Sequence, residues 1–194
     1  MPKLMLSMFA ISFALSVPIA GQAQTQTPAA RLPGGTATYV ANAEVQATVQ
    51  KTPTLPVSDQ AIRIVSINGE YNVALGVVHR ARTVGQPTPN GIEHSQITEI
   101  YHVIEGSGTL VTGGTLENQR PALPDSPTVA LLNGPSTNGG AIRNGVSRRI
   151  GPGDVVIIPP NTPHWFSEVA SDQIVYLILR VDPHKVLPAG YVPN

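Results

Sequence analysis

Hydrophobic residues between positions 62 and 181 are arranged in short runs rich in β-branched and aromatic side chains. Gly, Pro and Asn separate these runs, which recur about every 8–12 residues, as is typical of an antiparallel sandwich or a small barrel. Asn68-Gly69 follows the first run and predicts a hairpin. Gly106-Ser107-Gly108 predicts a second tight turn. We therefore predict an all-β domain with strands at 62–67, 71–80, 98–106, 108–114, 129–133, 146–150, 154–159, 164–169 and 173–181.

The segment before the strands predicts one short helix. Asn42 is expected to cap it, residues 43–51 are good helix formers, and Pro53 and Pro56 end it. We divide the chain into a leader (1–23), a lead-in with the helix (24–58), a β-domain (59–183) and a C-terminal tail (184–194). The stretch 113–145 is longer than an ordinary connection, which indicates a functional or mobile segment.

The first residues have the layout of a secretory signal peptide. Lys3 is followed by an apolar stretch at 4–17 and by a site of small residues, with cleavage after Ala23 or Ala20. A retained membrane anchor is the alternative, but the apolar stretch is short of the ~20 residues that span a bilayer. We expect a secreted or periplasmic protein that has no membrane contact after cleavage.

Composition narrows the class of partner. The chain has 194 residues, 12% of them charged, and a formal net charge of zero. This balance gives no cationic excess for binding nucleic acid phosphates. Gly and Pro together make 18 + 19 = 37 residues, which leaves little room for long helices. The absence of cysteine excludes disulfides, thiolate metal sites and cysteine nucleophiles.

Two segments carry potential metal ligands beside turns. In the first, Glu99 follows His94 by five positions and Gly106 follows Glu99 by seven; the second contains Gly153, Pro159 and His164. Ligands at strand ends can converge at the mouth of a barrel. Imidazole and carboxylate together suit Fe, Mn, Zn, Ni or Cu.

These residues resemble the two motifs of the cupin superfamily. The resemblance implies a jelly-roll barrel, or double-stranded β-helix, that binds one divalent metal through three histidines and a glutamate and commonly forms a homodimer. Four positions depart from the motifs: Ile92 replaces the first histidine, Gln86 the opening glycine, Asn161 a glycine of the second motif, and Glu168 the final asparagine. Asn161 tolerates the same left-handed turn, whereas isoleucine cannot bind a metal.

With Ile92 lost, His94, Glu99 and His164 remain as a two-histidine, one-carboxylate ligand set. Such a set leaves positions open for water and substrate. The other interpretation is a degenerate cupin that has kept the fold and lost the metal. His79 ends a different strand and is a possible additional ligand or a surface histidine.

The alternation of side chains along a strand suggests which residues line the pocket. Tyr101 shares the face of Glu99, whereas His102 points away. Phe166 and Glu168 share the face of His164. We therefore predict Tyr101 and Phe166 as pocket residues and Glu168 and Tyr101 as catalytic candidates, with Glu168 as a general base or the holder of a water.

Arg148 and Arg149 are adjacent, so only one can point inward, and we place Arg148 in the substrate pocket to pair with an anionic group. The alternative is a solvated arginine at the rim.

Two functions follow from these residues and the resemblance. The first is a metal-dependent enzyme of the dioxygenase, decarboxylase, lyase or isomerase type that acts on a small organic molecule. The second is a non-catalytic ligand-binding or sensing cupin without an essential metal. A serine hydrolase is a weaker interpretation, because the chain has no G-x-S-x-G motif.

Overall fold

The alternating pattern of the sequence folds into an antiparallel sheet of nine strands that curls into a jelly-roll barrel. The structure is a computed structural model and describes residues 35–51 and 55–193. The predicted signal peptide and residues 24–34 and 52–54 of the predicted lead-in lie outside the described residues. The predicted all-β jelly-roll class, with one short N-terminal helix, is confirmed.

The described elements begin with helix α1, Asn42–Gln50. Eleven strands follow: β1 Val57–Ile67, β2 Tyr71–Ala81, β3 Ile92–His94, β4 Thr98–Thr112, β5 Thr115–Leu116, β6 Arg120–Pro121, β7 Ser136–Asn138, β8 Ile142–Arg143, β9 Val146–Ile150, β10 Val155–Ile158 and β11 His164–Asp182. A five-residue π-helical turn, Val129–Asn133, lies between β6 and β7.

Strand β11 is the centre of the sheet, because it pairs with β2, β3 and β4. Strand β4 pairs in turn with β9 and β10, while β5 and β8 form a separate two-stranded sheet. The pairing of β11 with β4 contains three shifts of register. Bulges of this kind bend long strands, which lets the sheet curl and brings distant strand ends together.

One apolar cluster fills the interior of the barrel and includes Tyr101, Val103, Phe166, Tyr176 and Ile178. Burial of a large apolar side chain contributes about 1.5–3 kcal/mol. The cluster takes alternate residues of β4 and β11, as the pleat of a strand requires.

The opposite face of β11 is covered as well. Val175 packs with Ile62 and Val77, and Val45 and Val49 of α1 lie against this group. Because both faces of the C-terminal half of β11 are covered, residues 174–179 form a continuous apolar run rather than an alternating one. Among residues 35–51 and 55–193, no helix has the length and hydrophobicity needed to cross a membrane.

The C-terminal segment closes one end of the barrel. Leu187 is buried with Ile64, Ala74 and Ile97. The carboxylate of Asp182 accepts hydrogen bonds from the backbone N–H groups of Val186 and Leu187, at 3.1 and 2.8 Å, and holds the segment there.

Four local predictions were wrong. Helix α1 begins at Asn42 itself, and Ala41 stands at its N-cap without a side-chain hydrogen bond. The predicted strand 129–133 is the π-helical turn. The predicted strands 164–169 and 173–181 are joined as the single bulged strand β11.

The fourth error concerns the predicted turn at 106–108, which lies inside β4. Gly106 has φ +72°, and a Cβ there would lie 1.8 Å from the carbonyl oxygen of Gln173. Glycine is therefore needed for the close approach of β11 at a bulge, and not for a hairpin.

Candidate metal centre

The structure brings His94, Glu99 and His164 together from three strands. His94 ends β3, Glu99 is the second residue of β4, and His164 begins β11. All three are buried, with 4%, 2% and 3% of their surface exposed. Nε2 of His94 lies 3.3 Å from Oε1 of Glu99, and Nε2 of His164 lies 3.4 Å from Oε2. One ligand atom from each residue lies within 4.8 Å of the others, so a single ion can be bound by all three.

Backbone pairing explains this convergence. His164 pairs with Ile92 across β11 and β3, which places the two motifs side by side. The N–H group of Asn161 donates to the carbonyl oxygen of His94 at 2.7 Å. Asn161 has φ +58°, so it adopts the left-handed turn expected at the position of the motif glycine.

Hydrogen bonds at the Nδ1 atoms determine how the two imidazoles face Glu99. Nδ1 of His164 lies 2.9 Å from the carbonyl oxygen of Thr162, which can only accept a hydrogen bond. Nδ1 of His94 lies 2.8 Å from Oγ of Ser136, whose own proton is donated to the carbonyl oxygen of Gly134. Both Nδ1 atoms therefore carry the proton, and in the neutral rings both Nε2 lone pairs point towards the carboxylate.

The charge states complete this arrangement. Burial lowers the pKa of His94 despite the attraction of Glu99, which favours the neutral ring. Burial alone would raise the pKa of Glu99, but interactions with His94, Arg180 and His164 hold it well below its ordinary value. The carboxylate is ionised at neutral pH, so the Nε2 lone pair of neutral His94 meets a negative charge, and a cation bound between the three groups would satisfy them.

Glu99 has two further partners. The hydroxyl of Tyr101 donates to Oε2 at 2.8 Å, and Nε of Arg180 donates to Oε1 at 3.1 Å. Arg180 is 2% exposed and also donates to both carboxylate oxygens of Asp59, with Nη1 at 3.2 Å from Oδ1. Its guanidinium therefore bridges β1 and β4 through β11, between two carboxylates.

Ile92 occupies the position where the cupin motif has its first histidine. It lies on the same face of β3 as His94, opposite His164, and lines the cavity. The apolar side chain adds no ligand and leaves that side of the three groups open to the cavity.

The three groups lie in a cavity of about 740 Å³, a size suited to a small organic molecule. Tyr101 lines it, as predicted from its shared face with Glu99. Thr128, Leu132, Asn133 and Asn138 also line it, so the long connection at 113–145 supplies part of the wall. Phe166 is buried in the core beside Tyr176, with ring centroids 5.8 Å apart.

Three predicted site residues do not line the cavity: the pocket residues Phe166 and Arg148 and the catalytic candidate Glu168. Glu168 is exposed and accepts a hydrogen bond from Thr109, because a bulge between Phe166 and Glu168 breaks the alternation of β11. Arg148 is also exposed and does not line the cavity. The predicted roles of Glu168 as a base and Arg148 as an anion partner are therefore corrected.

His79 is likewise outside the ligand group. Its neighbours Val78 and Arg80 line the cavity, so the pleat of β2 turns His79 to the other face. There its Nε2 lies 3.1 Å from Oε1 of Gln173. His102 is exposed and points away from the cavity, as predicted.

Sequence reasoning missed Arg80, Arg180, Asp59 and Ser136. One signal was present: an arginine inside the apolar run of β11 is expected to need a buried partner. No local pattern marks Asp59 or Ser136, which are separated from their partners by 121 and 42 positions.

Similarity to known proteins is found among solved structures. No family model and no curated protein sequence matches the chain. Among solved structures, the chain is similar to KdgF from Halomonas sp., with 16% identity and a TM-score of 0.39, covering 68% of this chain and 85% of that one. It is also similar to the DMSP lyase DddQ from Ruegeria pomeroyi DSS-3, with 17% identity and a TM-score of 0.41, covering 72% and 54%. An oxalate oxidase gives 17% identity and a TM-score of 0.43, covering 69% and 54%.

The chain thus spans about half the length of the DMSP lyase and of the oxalate oxidase. The curled antiparallel sheet places the two predicted motifs at adjacent strand ends, as the resemblance described above implies.

Proposed function

We propose that the protein is a metal-dependent cupin-type enzyme that acts on a small organic molecule. His94, Glu99 and His164 hold one divalent transition metal of the Fe, Mn, Zn, Ni or Cu group. The single observation that carries this proposal is the orientation of the two histidines: each Nδ1 donates to an oxygen, so both Nε2 lone pairs face an ionised carboxylate.

A bound metal supplies Lewis-acid polarisation of a carbonyl, a carboxylate or dioxygen. The chain's own groups position and protonate. Burial raises the pKa of Tyr101 well above its ordinary value, so its hydroxyl keeps the proton at neutral pH. Tyr101 therefore acts as a hydrogen-bond donor that orients Glu99 at 2.8 Å, or as an acid towards a bound substrate, and not as a phenolate base. Such polarisation serves dioxygenation, decarboxylation, lyase chemistry and isomerisation alike.

The proposal includes export and self-association. The leader at 1–23 supports a secreted or periplasmic location. On the outer face of β10, Val155 and Ile157 are 61% and 65% exposed, and two large apolar side chains on one face support a homodimer.

Arg180 favours a second candidate function, a ligand-binding or sensing cupin without an essential metal. Its buried guanidinium already compensates the charge of Glu99 at 3.1 Å, and Ile92 has removed one ligand of the cupin motif. In this alternative the cavity and its polar groups bind a small molecule and the three ligands form a hydrogen-bonded network.

Metal analysis of the purified protein separates the two candidates. After growth with trace metals we expect close to one transition-metal ion per chain in the wild type. His164→Ala should lose most of this metal while circular dichroism stays unchanged, because the imidazole is one of three ligands. His102→Ala, on the exposed outer face, is the matched control and should keep its metal. A wild-type protein with almost no metal, also after dialysis against Zn²⁺ or Mn²⁺, would favour the metal-free candidate.

A further inference from the structure

Arg80 presents an unused guanidinium to the cavity that contains the metal ligands. It lies near the end of β2, on the cavity-facing side of the strand. Its Nε donates to the hydroxyl of Tyr176 at 3.1 Å. Within residues 35–51 and 55–193, no carboxylate lies at salt-bridge distance from Arg80, and its Nη1 and Nη2 have no hydrogen-bond acceptor. Neither nitrogen is a fully buried atom without a partner, and Arg80 lines the cavity.

The protein holds this guanidinium in place. The Cζ atom of Arg80 lies 4.9 Å from the ring centroid of Phe166, in a cation–π contact. The Phe166 ring covers one face of the guanidinium, and the hydroxyl of Tyr176 accepts from its Nε. These two contacts orient the guanidinium and leave its Nη1 and Nη2 edge free. A planar pair of donors fixed in this way matches a carboxylate, which accepts two parallel hydrogen bonds.

A pair of tyrosines connects Arg80 with the metal ligands. The rings of Tyr176 and Tyr101 have centroids 4.4 Å apart. The hydroxyl of Tyr176 binds Arg80, and that of Tyr101 binds Glu99. Arg80 and the three ligands are therefore linked through the two tyrosines, and all of these residues line the same cavity.

The charges along the cavity favour an anion. Its lining contains the cations Lys51, Arg80 and Arg180 and the anions Asp59 and Glu99, which gives 3 − 2 = +1 with neutral histidines. Both carboxylates are bonded to Arg180; Asp59 also attracts Arg80, but no carboxylate of the described residues forms an ion pair with it. The net positive charge of the lining therefore favours an anionic ligand.

We propose that Arg80 is the anchor for the carboxylate of a small anionic substrate, whose other end reaches the metal ligands. The second part rests on the proposed function, whereas the anion site requires only Arg80 and the cavity. The substrate class is a short organic acid rather than a neutral sugar or alcohol.

Isothermal titration calorimetry with acetate, glycolate and succinate tests the anion site, using chelator-treated protein and protein reloaded with Zn²⁺. Succinamide is the neutral probe. At least one acid should bind the wild type in both states, and succinamide should not. Arg80→Gln should weaken that binding by about 10- to 100-fold, because a charged donor pair is lost. Arg82→Gln, two residues along and exposed in a pair with Asp172, should bind like the wild type.

Arg80→Lys separates a specific role from a general loss of fold. It keeps the charge and loses the planar pair of donors, so its affinity should lie between those of the wild type and Arg80→Gln. Thermal unfolding and metal content of each variant provide readouts that are independent of anion binding. Unchanged metal content in Arg80→Gln would place the residue outside the ligand set, as expected.

The outcomes distinguish this inference from the proposed function. Acid binding that depends on Arg80 in a protein that binds no metal would support the anion site and refute the metal enzyme. The inference is overturned if none of the acids binds the wild type at millimolar concentration. It is also overturned if Arg80→Gln, folded by circular dichroism, binds as tightly as the wild type with or without Zn²⁺.

Discussion

Replacing Arg180 by methionine tests the buried charges beside the metal ligands most directly. Methionine keeps much of the volume and removes the guanidinium, which is the cation that the structure places between Glu99 and Asp59. The substitution therefore leaves two carboxylates without their shared partner.

The burial of each carboxylate determines the expected loss. Asp59 keeps 20% of its side-chain surface exposed, so water can replace much of its lost interaction. Glu99 is only 2% exposed, so water can replace much less of its lost interaction. Removal of one partner from a buried ion pair costs about 3–5 kcal/mol. We expect a loss of this size in the free energy of unfolding of the metal-free protein at pH 7.

Urea unfolding in the presence of chelator measures this loss. Arg82→Met is the matched control, because Arg82 and Asp172 form a pair with 56% and 95% of their side-chain surfaces exposed. Such an exposed pair contributes about 0–1 kcal/mol. Zn²⁺ should restore more stability to Arg180→Met than to the wild type, since Glu99 no longer shares its charge with a guanidinium. A free Zn²⁺ concentration of 100 times Kd raises the free energy of unfolding by about 2.7 kcal/mol.

Two results would refute this reasoning. A loss in Arg180→Met as small as that in the Arg82 control would mean that Glu99 does not depend on the guanidinium. An equal effect of Zn²⁺ on the wild type and on Arg180→Met would mean that the ion does not use the Glu99 carboxylate.

Three further predictions concern the ligands and the outer face. Ile92→His adds an imidazole beside His94 and should tighten Zn²⁺ binding about 100-fold in a competition assay, as expected for one added ligand, and unchanged affinity would contradict the position assigned to Ile92. Because burial lowers the pKa of His94 below its ordinary 6.5, the unfolded chain binds a proton that the folded chain rejects as the pH falls below 6.5. In chelator, the free energy of unfolding should therefore fall from pH 7 to pH 5 more steeply in the wild type than in His94→Gln, and equal slopes would count against the assignment. Ile157→Glu should shift the protein from dimer to monomer in sedimentation velocity, whereas the control Val84→Glu, in an exposed loop, should not. A dimer that persists in both variants would exclude the outer face of β10 as the interface.

Motif spacing was sufficient to find the three ligands. His94 and Glu99 are five positions apart on strands that are consecutive along the chain, so local geometry restricts where their side chains point. His164 belongs to a distant segment, and the second motif indicated that it lies at the same barrel end. Tyr101 followed from the two-residue period of β4, which is regular at that point.

The same period failed where a strand contains a bulge. Phe166 and Glu168 should share a face, but the register of β11 shifts between them and turns Glu168 to solvent. A bulge depends on the partner strand as much as on its own residues, so alternation alone does not locate it. The predicted turn at Gly106 was wrong for a related reason. The glycine is required because the backbone of Gln173 on β11 packs too close to leave room for a side chain.

The sequence by itself determined the all-β class, the position of most strands, and the identity of the three candidate metal ligands, His94, Glu99 and His164. Periodicity and motif spacing are local properties, and a chain carries them before it folds. Only the tertiary structure decided that Arg180 bridges Glu99 and Asp59, that Ser136 orients His94, and that Arg80 rather than Arg148 faces the cavity. These contacts join strands that are distant along the chain, and their register follows from how the whole sheet closes.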